Sequence, residues 1–160
     1  MARPVIASYS GKIVDFGPKI GSAQTMKLVN NVLVTSNLVL AAEAMLLGLK
    51  GGLDSEKMLE VLSVGTGQNY AITSIIAQHV FSRSFDFGGA LNIVAKDYDC
   101  IVAEAEKLSV PLDASQAVQK IVLAALGRHG GGADFTALVR DLEDRVGVAF
   151  PKTREAPARS

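Results

Sequence analysis

The stretch Ser22-Ala23-Gln24-Thr25-Met26-Lys27-Leu28-Val29-Asn30-Asn31 opens a run that meets neither glycine nor proline until Gly48. Along it Ala23, Met26, Leu28, Val29, Val32, Leu33, Leu38, Leu40 and Ala41 recur at helical spacings, three or four residues apart as on one helix face. Ser22 is placed to cap the N-terminus, since its hydroxyl can take a free backbone N–H. Gly51-Gly52 makes a C-terminal stop. A helix from about Ser22 to Leu49 is roughly 40 Å long at 1.5 Å per residue. It is apolar nearly all round, which predicts a central helix wrapped by others. The run is also long enough to cross a bilayer, but Asn30, Asn31, Asn37 and Glu43 interrupt it. Each polar group in hydrocarbon would need its own partner, so no membrane span is expected.

Shorter helices follow. Asp54 caps one to about Val64, Gly65-Thr66-Gly67 forms a loop, and Asn69 caps another to about Phe81. Ser82 to Gly89 is a connector freed by Gly88-Gly89. A helix from about Ala90 to Leu108 stops before Val110-Pro111, and the next runs from about Asp113 to Leu126. Gly127 and Gly130-Gly131-Gly132 separate it from a last helix, capped by Asp134 and ending near Val146. Upstream of Ser22, residues 4–10 are irregular. Gly11-Lys12-Ile13-Val14-Asp15-Phe16-Gly17 alternates polar and apolar between glycines, the pattern of one short strand, and Pro18 ends it. A lone strand leaves both edges unpaired, so it reads as the end of something further upstream. The expected fold is all-α, about six helices around a long central one, with one short N-terminal strand. Residues 18–148 form the helical domain, and 149–160 a polar, disordered tail.

Composition narrows the function. Among 160 residues, 49% are hydrophobic and 20% charged, a globular balance. Sixteen basic residues offset sixteen acidic ones, which argues against a broad electrostatic footprint for nucleic acid or anionic lipid. Cys100 is the single cysteine, so no intrachain disulfide forms; at mid-helix it reads as a buried structural thiol. His79 and His129 have no partners at metal or triad spacing, so no metal site is expected. The N-terminus lacks the apolar run of a signal peptide, and a cytoplasmic location is expected.

Lys27 and Asn31 carry the most suggestive chemistry. Four residues apart, they share one face of the long helix, one turn apart. A lysine among apolar neighbours is a candidate acid–base group, since burial disfavours the charged form of an amine and brings it toward the range where proton transfer works best. Asn31 offers both a donor and an acceptor to hold a hydroxyl or carboxylate. Lys96-Asp97 is the second candidate, Lys96 to reach an anion and Asp97 to orient it or cap a backbone group. On spacing alone, a snorkelling lysine with a structural asparagine is the favoured explanation of the first pair, and two solvated charges that of the second.

Gly21-x-x-x-x-x-Lys27-x-x-Asn30-Asn31 resembles the catalytic helix of the β-hydroxyacid dehydrogenases, the group of 3-hydroxyisobutyrate dehydrogenase and tartronate semialdehyde reductase, akin to 6-phosphogluconate dehydrogenase. The likeness continues through Glu43-Ala44, Gly65-Thr66-Gly67, Lys96-Asp97, Val110-Pro111-Leu112 and Gly132-x-Asp134-Phe135, covering roughly residues 11 to 146. The ordered set is specific where any one motif is not. The resemblance implies a helical C-terminal domain that follows a dinucleotide-binding domain, with residues 1–17 matching the end of that domain's last strand. It implies that Lys27 takes the substrate's hydroxyl proton, that Asn31 holds the substrate, and that Lys96 lies near an NAD or NADP cofactor. It implies a β-hydroxy acid substrate and a homodimer or higher homo-oligomer. Ala23 stands where a second glycine is usual, and Gly89-Ala90 where bulkier residues are. No Gly-x-Gly-x-x-Gly turn occurs anywhere in the chain, and no Ser-Gly-Gly substrate loop. Alone, the chain is expected to be inactive, because hydride transfer needs the cofactor held against the substrate. The alternatives from other classes are a helical association module without catalysis and a small-acid binding protein using Lys27, Asn31 and Lys96 as an anion pocket.

Overall fold

The computed structural model describes residues 3–8 and 10–152, and among them all regular structure is helical. The helices are α1 (Arg3–Ala7), α2 (Ser22–Lys50), α3 (Ser55–Val64), a π-helix (Ala71–Val80), α4 (Leu91–Leu108), α5 (Asp113–His129), a 3-10 turn (Phe135–Ala137) and α6 (Leu138–Val146). α2 packs against α3, the π-helix, α4, α5 and α6. It is long and apolar enough to cross a bilayer, yet Leu38, Ala42, Met45 and Leu46 on its C-terminal half are buried in the protein core. Facing them are Ile75, Ile76, Phe81, Leu91, Tyr98, Val122 and Leu138. Each fully buried side chain of this kind contributes about 1.5–3 kcal/mol.

Sequence expectation and structure part company in several places. The strand expected over 11–17 does not form: residues 12–17 have no regular structure, and the one β-bridge among the described residues joins Ala90 to Asp134. Alternation alone cannot hold a strand without a neighbour to take its hydrogen bonds. Residues 3–7 are helical where irregular chain was expected. Helix α2 is wrapped along only part of its length: its buried residues begin at Thr35, and Met26, Val29 and Leu33 are exposed. Cys100 is exposed rather than buried, because it falls on the outer face of α4. The tail expected from 149 begins with an anchored residue, Phe150, which is buried against Phe81 with ring centroids 5.4 Å apart; residues 153–160 lie outside the described residues.

The helix ends show which local signals held. Asp54 accepts from the Lys57 N–H at 2.9 Å, and Asn69 accepts from the Ile72 N–H at 3.1 Å. Gly21, with φ at 95°, takes the N-cap position of α2 in place of Ser22. The Ser22 hydroxyl donates instead to the Lys19 carbonyl at 3.0 Å. The glycine run 130–132 does more than connect. The first N–H groups of α4 donate to it and to the residue after it, Asn92 to the Gly131 carbonyl at 3.1 Å and Leu91 to the Ala133 carbonyl at 2.8 Å. Backbone carbonyls thus satisfy donors that a side-chain cap would otherwise take.

One buried charge closes the far end of the bundle. Glu143 on α6 is buried and forms a bidentate pair with Arg83, whose second guanidinium nitrogen donates to Oε2 at 2.9 Å. The same carboxylate accepts from the Phe150 N–H at 2.8 Å. Removing its charge leaves the Arg83 fork and a buried N–H short of an acceptor. Glu143→Gln is expected to lower stability by about 2–3 kcal/mol, seen as a fall in the urea midpoint at unchanged slope. An unchanged midpoint would show that the pair contributes nothing net.

Candidate functional site

α2 and α4 cross where the polar residues of the site lie. Lys27, Asn31 and Thr35 follow at four-residue steps on one face of α2. Across from them, Asp97 projects from α4. Asn31 donates its amide to Asp97 Oδ2 at 2.7 Å, and Lys27 Nζ stands 3.8 Å from Asp97 Oδ1. Asn30 donates to Asn31 Oδ1 at 3.3 Å. The asparagine is therefore fixed from both ends and keeps one amide hydrogen and one lone pair for another partner. One helical turn further, the Tyr98 hydroxyl and the Ser36 hydroxyl lie 3.0 Å apart.

Burial is uneven across this group. The Asp97 side chain is 16% exposed and that of Lys27 is 54% exposed. The burial expected for Lys27 is thus absent, because it lies on the uncovered N-terminal part of α2. Lys96 is not brought into the cluster. It is exposed, with no ion pair or side-chain hydrogen bond to any described residue. Adjacent helix positions point about 100° apart, so when Asp97 faces α2 its neighbour faces away.

Beside Asn31 and Asp97 lies a cavity of about 180 Å³, walled by Val34, Ile93, Val94, Phe87 and Phe135 and floored by Tyr98. Gly89 matters to this wall: a Cβ there would stand 3.0 Å from Phe135 Cδ1. The missing side chain lets the Phe135 ring close against the loop. Asp134 locks the same loop, its Oδ2 accepting from the Gly88 N–H at 2.7 Å and the Gly89 N–H at 3.0 Å. Phe87 is held edge-on by Phe135 and by His79, with centroids 5.5 and 5.4 Å apart. His79 Nδ1 in turn lies 2.8 Å from Asp86 Oδ1. That hydrogen bond, helped by the Ser84 hydroxyl, holds the Asp86 carboxyl below the usual carboxylate range.

Sequence reading paired Lys27 with Asn31 and placed Asp97 beside Lys96. It missed that Asp97 is the group that ties Lys27 to Asn31, and that Tyr98 and Ser36 repeat the same helix-to-helix link one turn on. Carboxylate partners for the two histidines were also missed: His129 Nε2 lies 2.9 Å from Asp141 Oδ1, as well as the His79 contact. Among the described residues no three His, Cys, Asp or Glu groups converge.

Burial pushes the Tyr98 phenol above its ordinary 10.0, with the Ser36 hydrogen bond pulling partly the other way. A raised folded-state value means that the unfolded chain loses this proton first as pH rises. The stability tied to the neutral phenol is whole below about pH 10 and drains away above it. The difference in tyrosinate absorbance between the wild-type chain and Tyr98→Phe is expected to titrate with a midpoint above 10.0. A midpoint at or below that value would remove the buried hydroxyl from the account.

The helical arrangement has counterparts among known proteins. A family model described as "NAD-binding of NADP-dependent 3-hydroxyisobutyrate dehydrogenase" matches residues 21–142. The 2-(hydroxymethyl)glutarate dehydrogenase of Eubacterium barkeri is 29% identical over 147 residues, which cover 92% of this chain and 48% of that protein. The L-threonate dehydrogenase of Cupriavidus necator is 26% identical over 140 residues, 88% of this chain and 47% of the relative. Among solved structures, 3-hydroxyisobutyrate dehydrogenase from Salmonella typhimurium superposes with a TM-score of 0.79 at 22% identity, covering 88% of this chain and 49% of that one. The Mycobacterium tuberculosis 3-hydroxyisobutyrate dehydrogenase solved with L-serine gives 0.79 at 23%, covering 88% and 50%. At these identities the superpositions establish the fold. The chain spans about half the length of the curated relatives it matches.

Proposed function

The chain belongs to the 3-hydroxyisobutyrate dehydrogenase family of NAD(P)-dependent oxidoreductases, and we propose that it supplies the catalytic-lysine, C-terminal half of such an enzyme. The reaction is oxidation of a β-hydroxy acid, or its reverse. The observation that carries this reading is the Lys27–Asp97–Asn31 arrangement, at 3.8 and 2.7 Å, beside an apolar cavity.

When bound, the nicotinamide supplies the acceptor for the hydride leaving the carbinol carbon. The chain lacks the glycine turn that cradles a dinucleotide's phosphates, so that part of the site comes from another segment. What this chain offers the cofactor fits a facing wall: Lys96, exposed and without an ion pair or side-chain hydrogen bond among the described residues, for its anionic groups, and the open side of Lys27 toward the reacting carbon. In the oxidation direction Lys27 Nζ receives the proton of the substrate hydroxyl, and in the reduction direction it returns it. Asn31 holds the substrate with its remaining donor and acceptor. Asp97 keeps both in place, acting on Asn31 by a short hydrogen bond and on Lys27 by charge. The assembled enzyme is a cytoplasmic homodimer or higher homo-oligomer.

The test joins this chain to the nucleotide-binding half and measures NAD(P)-dependent turnover of β-hydroxy acids. Lys27→Ala is expected to lower kcat by about 10²–10⁴-fold with the helical circular-dichroism spectrum unchanged; retained turnover would sink the assigned role. Asp97→Asn is expected to lower kcat more than it raises KM, since it loosens proton transfer rather than removing a substrate contact. The 160-residue chain alone is expected neither to bind NADH or NADPH at micromolar concentration nor to turn over. Binding by the isolated chain would place a nucleotide site within it.

A further inference from the structure

The cavity beside Asn31 and Asp97 has the size and the lining of a site for hydrocarbon. Its volume is about 180 Å³, and a cavity of about 150 Å³ lined by aliphatic and phenylalanine side chains stays dry and holds benzene. Most polar atoms on its wall are already engaged. Asp97 accepts from Asn31 at 2.7 Å, and the Tyr98 and Ser36 hydroxyls lie 3.0 Å apart. The Gly89 N–H donates to Asp134 at 3.0 Å, and the Gly89 carbonyl accepts from the Phe135 N–H at 2.7 Å. A polar guest is left the spare hydrogen and lone pair of half-buried Asn31 and the hydroxyl of Thr35. A hydroxylated chain entering here gives up water for few partners, whereas an apolar one gains by leaving water. Phe87 and Phe135 meet edge to face, their planes 81° apart, an arrangement that a further ring extends. Gly88, with φ at 106°, needs glycine for its backbone; Gly89 lies outside that region, so what excludes a side chain there is room. Any side chain at 89 displaces the Phe135 ring, and with it a wall of the cavity.

We propose that the substrate is a β-hydroxy acid bearing an apolar branch of phenyl size on the carbon between carbinol and carboxylate, and that this cavity takes the branch. The inference rests on the dehydrogenase reading and gives it a substrate class. Connectivity leads there. Lys27 serves the hydroxyl and Asn31 holds the substrate, while Asn31 and Asp97 also form part of the cavity wall. The carbon that joins carbinol to carboxylate then stands at the mouth of the cavity, and its branch is the part of the molecule that enters. The walls are in place before a substrate arrives. Phe87 is held by Phe135, His79 and Tyr70, with ring centroids 5.5, 5.4 and 6.4 Å away, and Asp134 fixes the loop behind it. A preformed apolar cavity selects by shape and by the cost of burying unpaired hydroxyls. Polyhydroxy acids, which put a hydroxyl where this site wants a ring, are the class it disfavours.

The chain joined to its nucleotide-binding half is expected to favour 3-hydroxy-2-phenylpropanoate over glycerate, which carries a hydroxyl in place of the ring, by about 100-fold or more in kcat/KM. Val94→Phe adds bulk to the cavity wall and is expected to cut that ratio by about tenfold or more. Ile93→Phe, at an exposed position on the same wall, is expected to move it the same way. A ratio under about tenfold, or one that neither variant moves, would overturn the proposal. A second readout needs no catalysis. In an isotope-labelled 160-residue chain, millimolar 3-phenylpropanoate is expected to shift the ring resonances of Phe87, Phe135 and Tyr98, and glycerate at the same concentration is not. Unmoved rings, or rings moved equally by glycerate, would likewise overturn it. Absence of turnover with both acids falls on the dehydrogenase reading instead, and the titration then decides the cavity's occupant by itself.

Discussion

A helix of 29 residues that is apolar on almost every side has to be covered on almost every side, and that requirement organises this molecule. From Thr35 onward the chain meets it with its own later helices. The order of those helices is less important than their shared duty of presenting Leu, Ile, Val and Phe side chains to the same cylinder. With no tryptophan available, the core relies on branched aliphatics and on a few phenylalanines at its ends. Phe81 with Phe150 closes one end, and Phe87 with Phe135 closes the other.

Where α4 crosses α2 the packing turns polar. The crossing is stitched by Asn31 to Asp97 and by Ser36 to Tyr98. These bonds fix the rotation of one helix against the other, which hydrophobic packing alone leaves loosely set. Because Lys27 reaches the same carboxylate, the device that sets the helix angle also sets the reach of the proposed proton carrier. The loop from Gly88 completes the arrangement through the Asp134 carboxylate, so the aromatic wall and the polar crossing are positioned by one continuous set of contacts.

Much of this was legible in the sequence. The long helix, the caps at Asp54, Asn69 and Asp134, and the pairing of Lys27 with Asn31 follow from periodicity and side-chain chemistry. What was not legible depends on tertiary neighbours. Alternation over 11–17 looks like a strand only if a partner strand exists. Helix polarity round its circumference says that cover is needed, but not where along its length the chain's own helices supply it. The outward turn of Lys96 follows once Asp97 is known to face α2, and that choice between adjacent residues is made by Asn31, 66 positions away. The burial of Phe150 in a stretch that reads as polar tail depends on a carboxylate and an arginine brought together from α6 and the connector.

The uneven cover of α2 also means that one continuous helix has two different local stabilities. Amide hydrogens around Leu38 to Leu46 are guarded by the whole core and exchange only when the domain opens globally. Those before Asn31 are guarded by little more than helix propagation, and are expected to exchange by fraying. Lys27 lies in the frayed third, and Asn31 at its border. Any body that settles on this end of the helix therefore does more than bury surface: it removes the conformational entropy of the segment that holds the lysine, and so makes order at the site a function of assembly.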